Sequence, residues 1–185
     1  MRKTAVIVLA DGFEEIEAIT PIDVLRRAGV EVIIAGVGKT EVKGSRGIRV
    51  IADTRLEDYT GIPEAVILPG GLPGAENLKN SPVVSAFIQK IRQNDKIIAA
   101  ICAAPALVLT GQPGFLEGKK ITCYPGYEKE LGPGATFDDE RVVTDALLVT
   151  SRGPGTAMEF SLELVSRLAD ERTANLLREK MLVSN

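Results

Sequence analysis

Cys102 stands between an apolar run, KIIAAI, and a short apolar segment, APALVL, with small residues on either side. A sulfur at the seam of a strand and a helix has the geometry of a nucleophile elbow, although the GxSxG string is absent. The positive end of the following helix is expected to favour thiolate over thiol there. The competing reading is a buried structural cysteine, among the most buried residue types. Cys123 sits in an expected strand, Lys120 to Cys123, next to Tyr124 and with no elbow around it, and is read as structural.

Three carboxylates crowd a helix start in DGFEEIE. Glu14 and Glu15 suit a helix N-terminus through its dipole, or ion pairs. Glu17 falls between Ile16 and Ala18 on a segment that otherwise faces the core, where burial would disfavour its charged form and leave it an acid donor. Gly70-Gly71 follows a third apolar run and offers backbone N–H groups. With the N–H of Ala103 these could form an oxyanion hole, or the pair is an ordinary turn needing positive φ. SRGPGT could present N–H groups to an anion at a helix start. It is not a phosphate loop, since GxxxxGK[ST] is missing. Asp23 and Arg27, four residues apart, read as a surface ion pair.

What is absent narrows the chemistry further. The 185 residues include no His. That removes Ser-His-Asp and Cys-His pairs, the HExxH zinc helix and Cys/His fingers. No metal and no cofactor is expected. The net charge of −3 gives no reason to expect nucleic acid. No apolar run approaches the roughly 20 residues of a membrane span. Two Cys without CxxC spacing suit a reducing, cytoplasmic compartment. The apolar start TAVIVLA runs straight into DGFEEIE without a small-residue cleavage site, so it reads as a strand and not a signal peptide.

These residues need a scaffold. Runs rich in Val and Ile predict strands at Thr4–Ala10, Val30–Val37, within EAVIL and KIIAAI, and at Lys120–Cys123, Arg141–Thr144 and Leu147–Thr150. Helical periodicity predicts helices over Glu14–Ala28, Ser81–Arg92, Gly155–Leu168 and Glu171–Met181, with a short one in APALVLTG. EVKGSRGIRVIAD reads as a hairpin turning through Gly44–Gly47. The alternation predicts one α/β domain spanning 1–185, a mostly parallel sheet with helices on both faces. In such sheets, chemistry sits beyond the carboxyl ends of the strands, where the four turns named above converge.

The segments LADGFEEIEAITPIDVLRRAGVEV, LPGG…GAENL, IAAICAAPALVL and TSRGPGTAMEF together resemble the ThiJ/PfpI superfamily, in its parkinsonism-associated deglycase (DJ-one) branch. The resemblance runs in order from near Thr4 to about Leu168. It implies a flavodoxin-like three-layer sandwich, a homodimer and a reactive elbow cysteine at Cys102. It implies a protonated Glu17 bonded to that sulfur, an oxyanion-hole glycine at Gly71 with the Ala103 N–H, and arginines Arg27 and Arg46 near the site or across the dimer interface. The dimer surface would be the first helix with the Gly44–Gly47 hairpin. Many relatives hold a His where this chain has Tyr124, a phenol and a poor base near neutral pH; Tyr124 is the one substitute donor. The peptidase branch places His directly after the cysteine, where this chain has Ala103, and glutamine amidotransferases need a downstream His-x-Glu. Both activities are disfavoured. The resemblance suggests a glutathione-independent glyoxalase or protein deglycase of weak turnover, taking methylglyoxal to lactate or acting on glycated protein side chains. The alternative is a redox sensor or redox-regulated chaperone through oxidation of Cys102 to a sulfinate.

Overall fold

A computed structural model describes residues 3–183. The chain opens with β1 (Thr4–Leu9), buried along nearly its whole length, then α1 (Glu15–Arg27) and β2 (Glu31–Gly36). The hairpin β3 (Glu41–Lys43) and β4 (Arg49–Ile51) follows, then the two-residue β5 (Thr54–Arg55) and β6 (Ala65–Leu68). Next come α2 (Gly74–Lys79), α3 (Pro82–Gln93), β7 (Ile97–Ile101) and α4 (Ala104–Leu107). The chain finishes with β8 (Lys120–Ile121), β9 (Thr136–Phe137), β10 (Val142–Asp145), β11 (Leu148–Ser151), α5 (Ala157–Leu168) and α6 (Glu171–Lys180).

Seven strands form the central sheet in the order β10-β11-β7-β6-β1-β2-β5. All pairings are parallel except β10 with β11, which form an antiparallel hairpin at one edge. Strands buried on both faces explain the unbroken Val/Ile runs, because each face carries its own core. One core gathers Ile7, Leu25, Phe160 and Leu164 under α1, α5 and α6. The other gathers Val8, Leu68, Ile88 and Ile91 under α3 and the segment after β8. This is the flavodoxin-like three-layer arrangement expected from the sequence.

The helix ends follow local rules. The Glu14 carboxylate caps α1 by accepting from the Glu17 N–H, Ser81 caps α3 with Pro82 in its first turn, and Asp170 caps α6. Two sequence expectations need correction. Lys120–Cys123 pairs only through Lys120 and Ile121, and with β9 instead of the main sheet, so Cys123 lies just past a strand. The short helix expected in APALVLTG is present as a single turn and needs none. The apolar face of α1 is not all core: Ile16 is 53% exposed and Ile19 is 42% exposed, while Glu17 is wholly buried. A helix turns about 100° per residue, so the position next to an outward isoleucine can face inward.

Candidate active site

The end of β7 throws Cys102 into a left-handed backbone, φ 66°. A side chain at positive φ is strained. Here it is held by its neighbours: the Cys102 N–H donates to the Ser151 carbonyl at 2.9 Å, and the Cys102 carbonyl accepts from the Tyr124 N–H at 2.8 Å. The elbow expected from the small residues around the cysteine is therefore present as geometry. It lifts the sulfur out of the strand, where the N–H groups of Gly71 and Ala103 lower its proton affinity.

Glu17 approaches the same sulfur from α1. It is 0% exposed, and its carboxyl group interacts with the Cys102 thiol. Oε2 accepts the Gly70 N–H at 2.8 Å. Among the described residues no N–H or O–H donor reaches Oε1. A buried carboxylate oxygen with no donor is costly, and a proton on that oxygen removes the cost. Burial accordingly pushes the Glu17 carboxyl from 4.5 up to about 7, against the lowering effect of its bonds to Cys102 and Gly70.

The cysteine shifts the same way. Burial first, then the charge of ionised Glu17 and its bond to the sulfur, push the thiol up; the Gly71 and Ala103 N–H groups pull it down. The thiolate expected from a helix N-terminus is thus not what the surroundings favour, because α4 is one turn long and burial outweighs its dipole. Two of the raising influences vanish when Glu17 is protonated. The pair titrates as a unit, and a neutral Glu17 turns from a repelling charge into a donor toward sulfur.

Glycines make this approach possible. A Cβ on Gly70 would lie 2.6 Å from Cys102 Cβ and 2.8 Å from Glu17 Oε2. Gly71 has φ 85°, and a Cβ there would lie 2.7 Å from the Gly12 carbonyl oxygen.

A cleft of about 420 Å³ opens over the sulfur, lined by Glu14, Ser45, Arg46, Leu72, Tyr124 and Pro154 among others. The hairpin that brings Ser45 and Arg46 is tied down by Glu15. Its carboxylate accepts from the Arg46 N–H at 2.7 Å and the Ser45 hydroxyl at 3.2 Å. Glu15 is therefore neither a simple dipole partner nor half of an ion pair; it fastens the hairpin to α1.

The other candidates separate cleanly. Arg27 sits on the far turn of α1, paired with Asp23 at 2.8 Å, and does not line the cleft. Arg46 does. The SRGPGT loop satisfies its own groups: the Gly153 N–H donates to Thr156 Oγ1, whose hydroxyl lies 2.6 Å from Ser151 Oγ. The loop places Gly153 against the Tyr124 ring. Cys123 is wholly buried in the core on the sheet face opposite that of Cys102, and both thiols are free. Tyr127 and Leu72, which line the cleft, had no chemical signature in the sequence beyond following a turn.

The profile of the DJ-1/PfpI family matches residues 3–167. The chain belongs to the DJ-1/PfpI family. Protein DJ-1 homolog B of Arabidopsis thaliana is 45% identical over 174 residues, covering 93% of this chain and 40% of that protein. The chain spans less than half the length of this plant relative and of its paralogue, homolog A. The glutathione-independent glyoxalase DJR-1.2 of Caenorhabditis elegans is 35% identical, over 96% of this chain and 95% of that one. The crystal structure of Drosophila melanogaster DJ-1beta superposes with a TM-score of 0.92 at 38% identity, covering all of both chains. DJ-1/PfpI membership agrees with the fold and with the elbow at Cys102.

The raised Glu17 carboxyl has a consequence for stability. The folded chain keeps a proton that the unfolded chain releases above about 4.5, so the native state binds more protons across the window from about 4.5 to about 7. Stability due to this group is therefore intact below about pH 4.5 and falls as pH rises toward 7. Glu17→Gln removes the dependence. Urea denaturation of both proteins between about pH 5 and pH 7.5 will show the wild type losing stability relative to the variant; parallel curves would contradict a protonated Glu17.

Proposed function

We propose that the chain is a cysteine-dependent, glutathione-independent glyoxalase or protein deglycase that converts small reactive aldehydes such as methylglyoxal to the 2-hydroxy acid. The observation that carries this reading is the buried Glu17 carboxyl set against the Cys102 sulfur, with Oε1 lacking any donor. Similarity to the worm glyoxalase over nearly the whole chain supports it.

The chemistry needs only these groups. The Cys102 sulfur attacks the aldehyde carbon, and the proton of the pair passes to the carbonyl oxygen, giving a hemithioacetal. The Gly71 and Ala103 N–H groups stabilise negative charge on sulfur or on that oxygen. Glu17, now a carboxylate, takes the proton from the former aldehyde carbon and returns it to the neighbouring ketone carbon, while the hydroxyl proton on the first carbon passes to the ketone oxygen. The product is a thioester of lactate on Cys102. Water hydrolyses it and regenerates the thiol, so methylglyoxal and one water become lactate. A glycated amine or thiol would enter at the same carbon. With no His to relay protons, turnover is weak, and amide hydrolysis is outside this site's reach.

The same sulfur supports a second reading, redox sensing. Three donors converge on it: two backbone N–H groups and a protonated carboxyl. A sulfinate formed there by peroxide would be held by all three. Exposed Ile16 and Ile19 on α1 lie on the helix that Glu15 fastens to the hairpin carrying exposed Ile48 and Ile51. This apolar surface is proposed to close a homodimer. Both free thiols suit a reducing cytoplasm, and among the described residues no helix is long and apolar enough to cross a membrane.

Steady-state release of D-lactate from methylglyoxal will fall to background in Cys102→Ser; equal activity in the two proteins would sink the enzyme reading. After mild peroxide, intact mass and peptide mapping will show two added oxygens on Cys102, whereas first oxidation at Cys123 would reject the sensor. Light scattering at micromolar concentration will give twice the 19.8 kDa chain mass, and Ile16→Lys will shift it toward monomer; a monomeric wild type refutes the dimer.

A further inference from the structure

The cleft is larger than a three-carbon aldehyde requires. Its volume of about 420 Å³ lies in the ~300–1,000 Å³ range of pockets that enclose drug-sized ligands. Methylglyoxal on Cys102 would leave most of it to water.

Beside Glu14, Ser45 and Arg46, the lining of this space includes apolar and aromatic side chains. Tyr124 and Tyr127 meet edge to face, with ring centroids 6.4 Å apart and planes at 72°. Tyr124 is braced by Gly153, where a Cβ would lie 3.1 Å from its Cδ2. Tyr124 is nevertheless 45% exposed, and Leu72 is 48% exposed. Pro154 completes the wall beside Cys102. No hydrogen bond occupies the Tyr124 hydroxyl among the described residues, so the ring is held by packing and not by its polar end. An edge-to-face pair with one open face accepts a third ring in the same arrangement, and such ring pairs add stabilisation beyond simple burial.

We propose that Tyr124 and Tyr127 form a specificity subsite that seats an aryl substituent, so that the preferred substrates are aryl-substituted α-oxoaldehydes over methylglyoxal. The inference rests on the glyoxalase reading for its substrate class, but the subsite itself does not depend on turnover. Tyr124 acts through its ring face, not as a proton donor standing in for His.

Two measurements separate the claims. The first is the ratio of kcat/KM for phenylglyoxal over methylglyoxal in the wild type, Tyr124→Phe and Tyr124→Ala. The ratio should drop about tenfold in Tyr124→Ala, as expected for loss of a ring contact of about 1.4 kcal/mol, and persist in Tyr124→Phe. An unchanged ratio in Tyr124→Ala overturns the subsite. A ratio lost equally in Tyr124→Phe assigns the effect to the hydroxyl and overturns it as well. The second measurement is the alkylation rate of Cys102 by N-phenyl-iodoacetamide relative to iodoacetamide, each normalised to free cysteine. Sulfur displaces iodide in both, and no aldehyde chemistry is involved. A wild-type preference for the phenyl reagent that falls in Tyr124→Ala supports the subsite even if no lactate forms, in which case only the glyoxalase reading fails. Absence of that preference overturns the subsite even if lactate does form.

Discussion

One carboxyl group, buried with a single backbone N–H on one oxygen and none on the other, organises this molecule. Glu17 could not sit at 0% exposure as an anion without heavy cost, because a desolvated charge needs compensating donors. The fold supplies a partial solution: the Gly70 N–H on Oε2, the Cys102 thiol beside the group, and a raised proton affinity for the rest. Everything around it serves that contact. Gly70 has no room for a Cβ between the acid and the sulfur. The left-handed turn at Cys102 exists only because β11 and the Tyr124 segment grip its backbone from either side. Strain in the elbow and desolvation of the acid are two local losses that the two sheet cores offset.

This division of labour explains what was readable in the residues alone. The Val/Ile runs report a sheet buried on both faces, and any sequence with that periodicity would announce it. The elbow was legible because small residues flank a lone cysteine at a strand end. Glu17 was legible as an oddity, a charge amid apolar residues. What stayed hidden depends on contacts remote in sequence. Nothing about Glu15 distinguishes it locally from Glu14, yet one caps α1 and the other fastens a hairpin about thirty residues away. Ile16 and Ile19 look like core by period, and their exposure is decided by which side of α1 meets the sheet. The depressed thiol pKa expected at a helix start failed for the same reason: the length of α4 and the depth of the sulfur are tertiary facts.

The lack of His takes on a narrower meaning in this setting. It does not leave the site bare; it leaves it with an acid and a thiol that burial pushes toward their protonated forms, and with the Tyr124 ring beside them. Tyr124 stacks near Tyr127 and rests on Gly153, so the ring shapes the cleft more than it feeds protons into it.

Four consecutive residues at the start of α1 face four different neighbours. Glu14 closes the helix, Glu15 holds the hairpin, Ile16 looks outward and Glu17 looks at the sulfur. Their order is a phase relation set by the helical repeat of about 100° per residue. A single deleted codon between Phe13 and Glu17 would move the acid to the outward place of Ile16, and a single inserted one would put that isoleucine in the place of the acid. Point substitutions can vary here one function at a time, but length cannot vary at all. This stretch should therefore exclude gaps, and at Glu17 it excludes exchange as well.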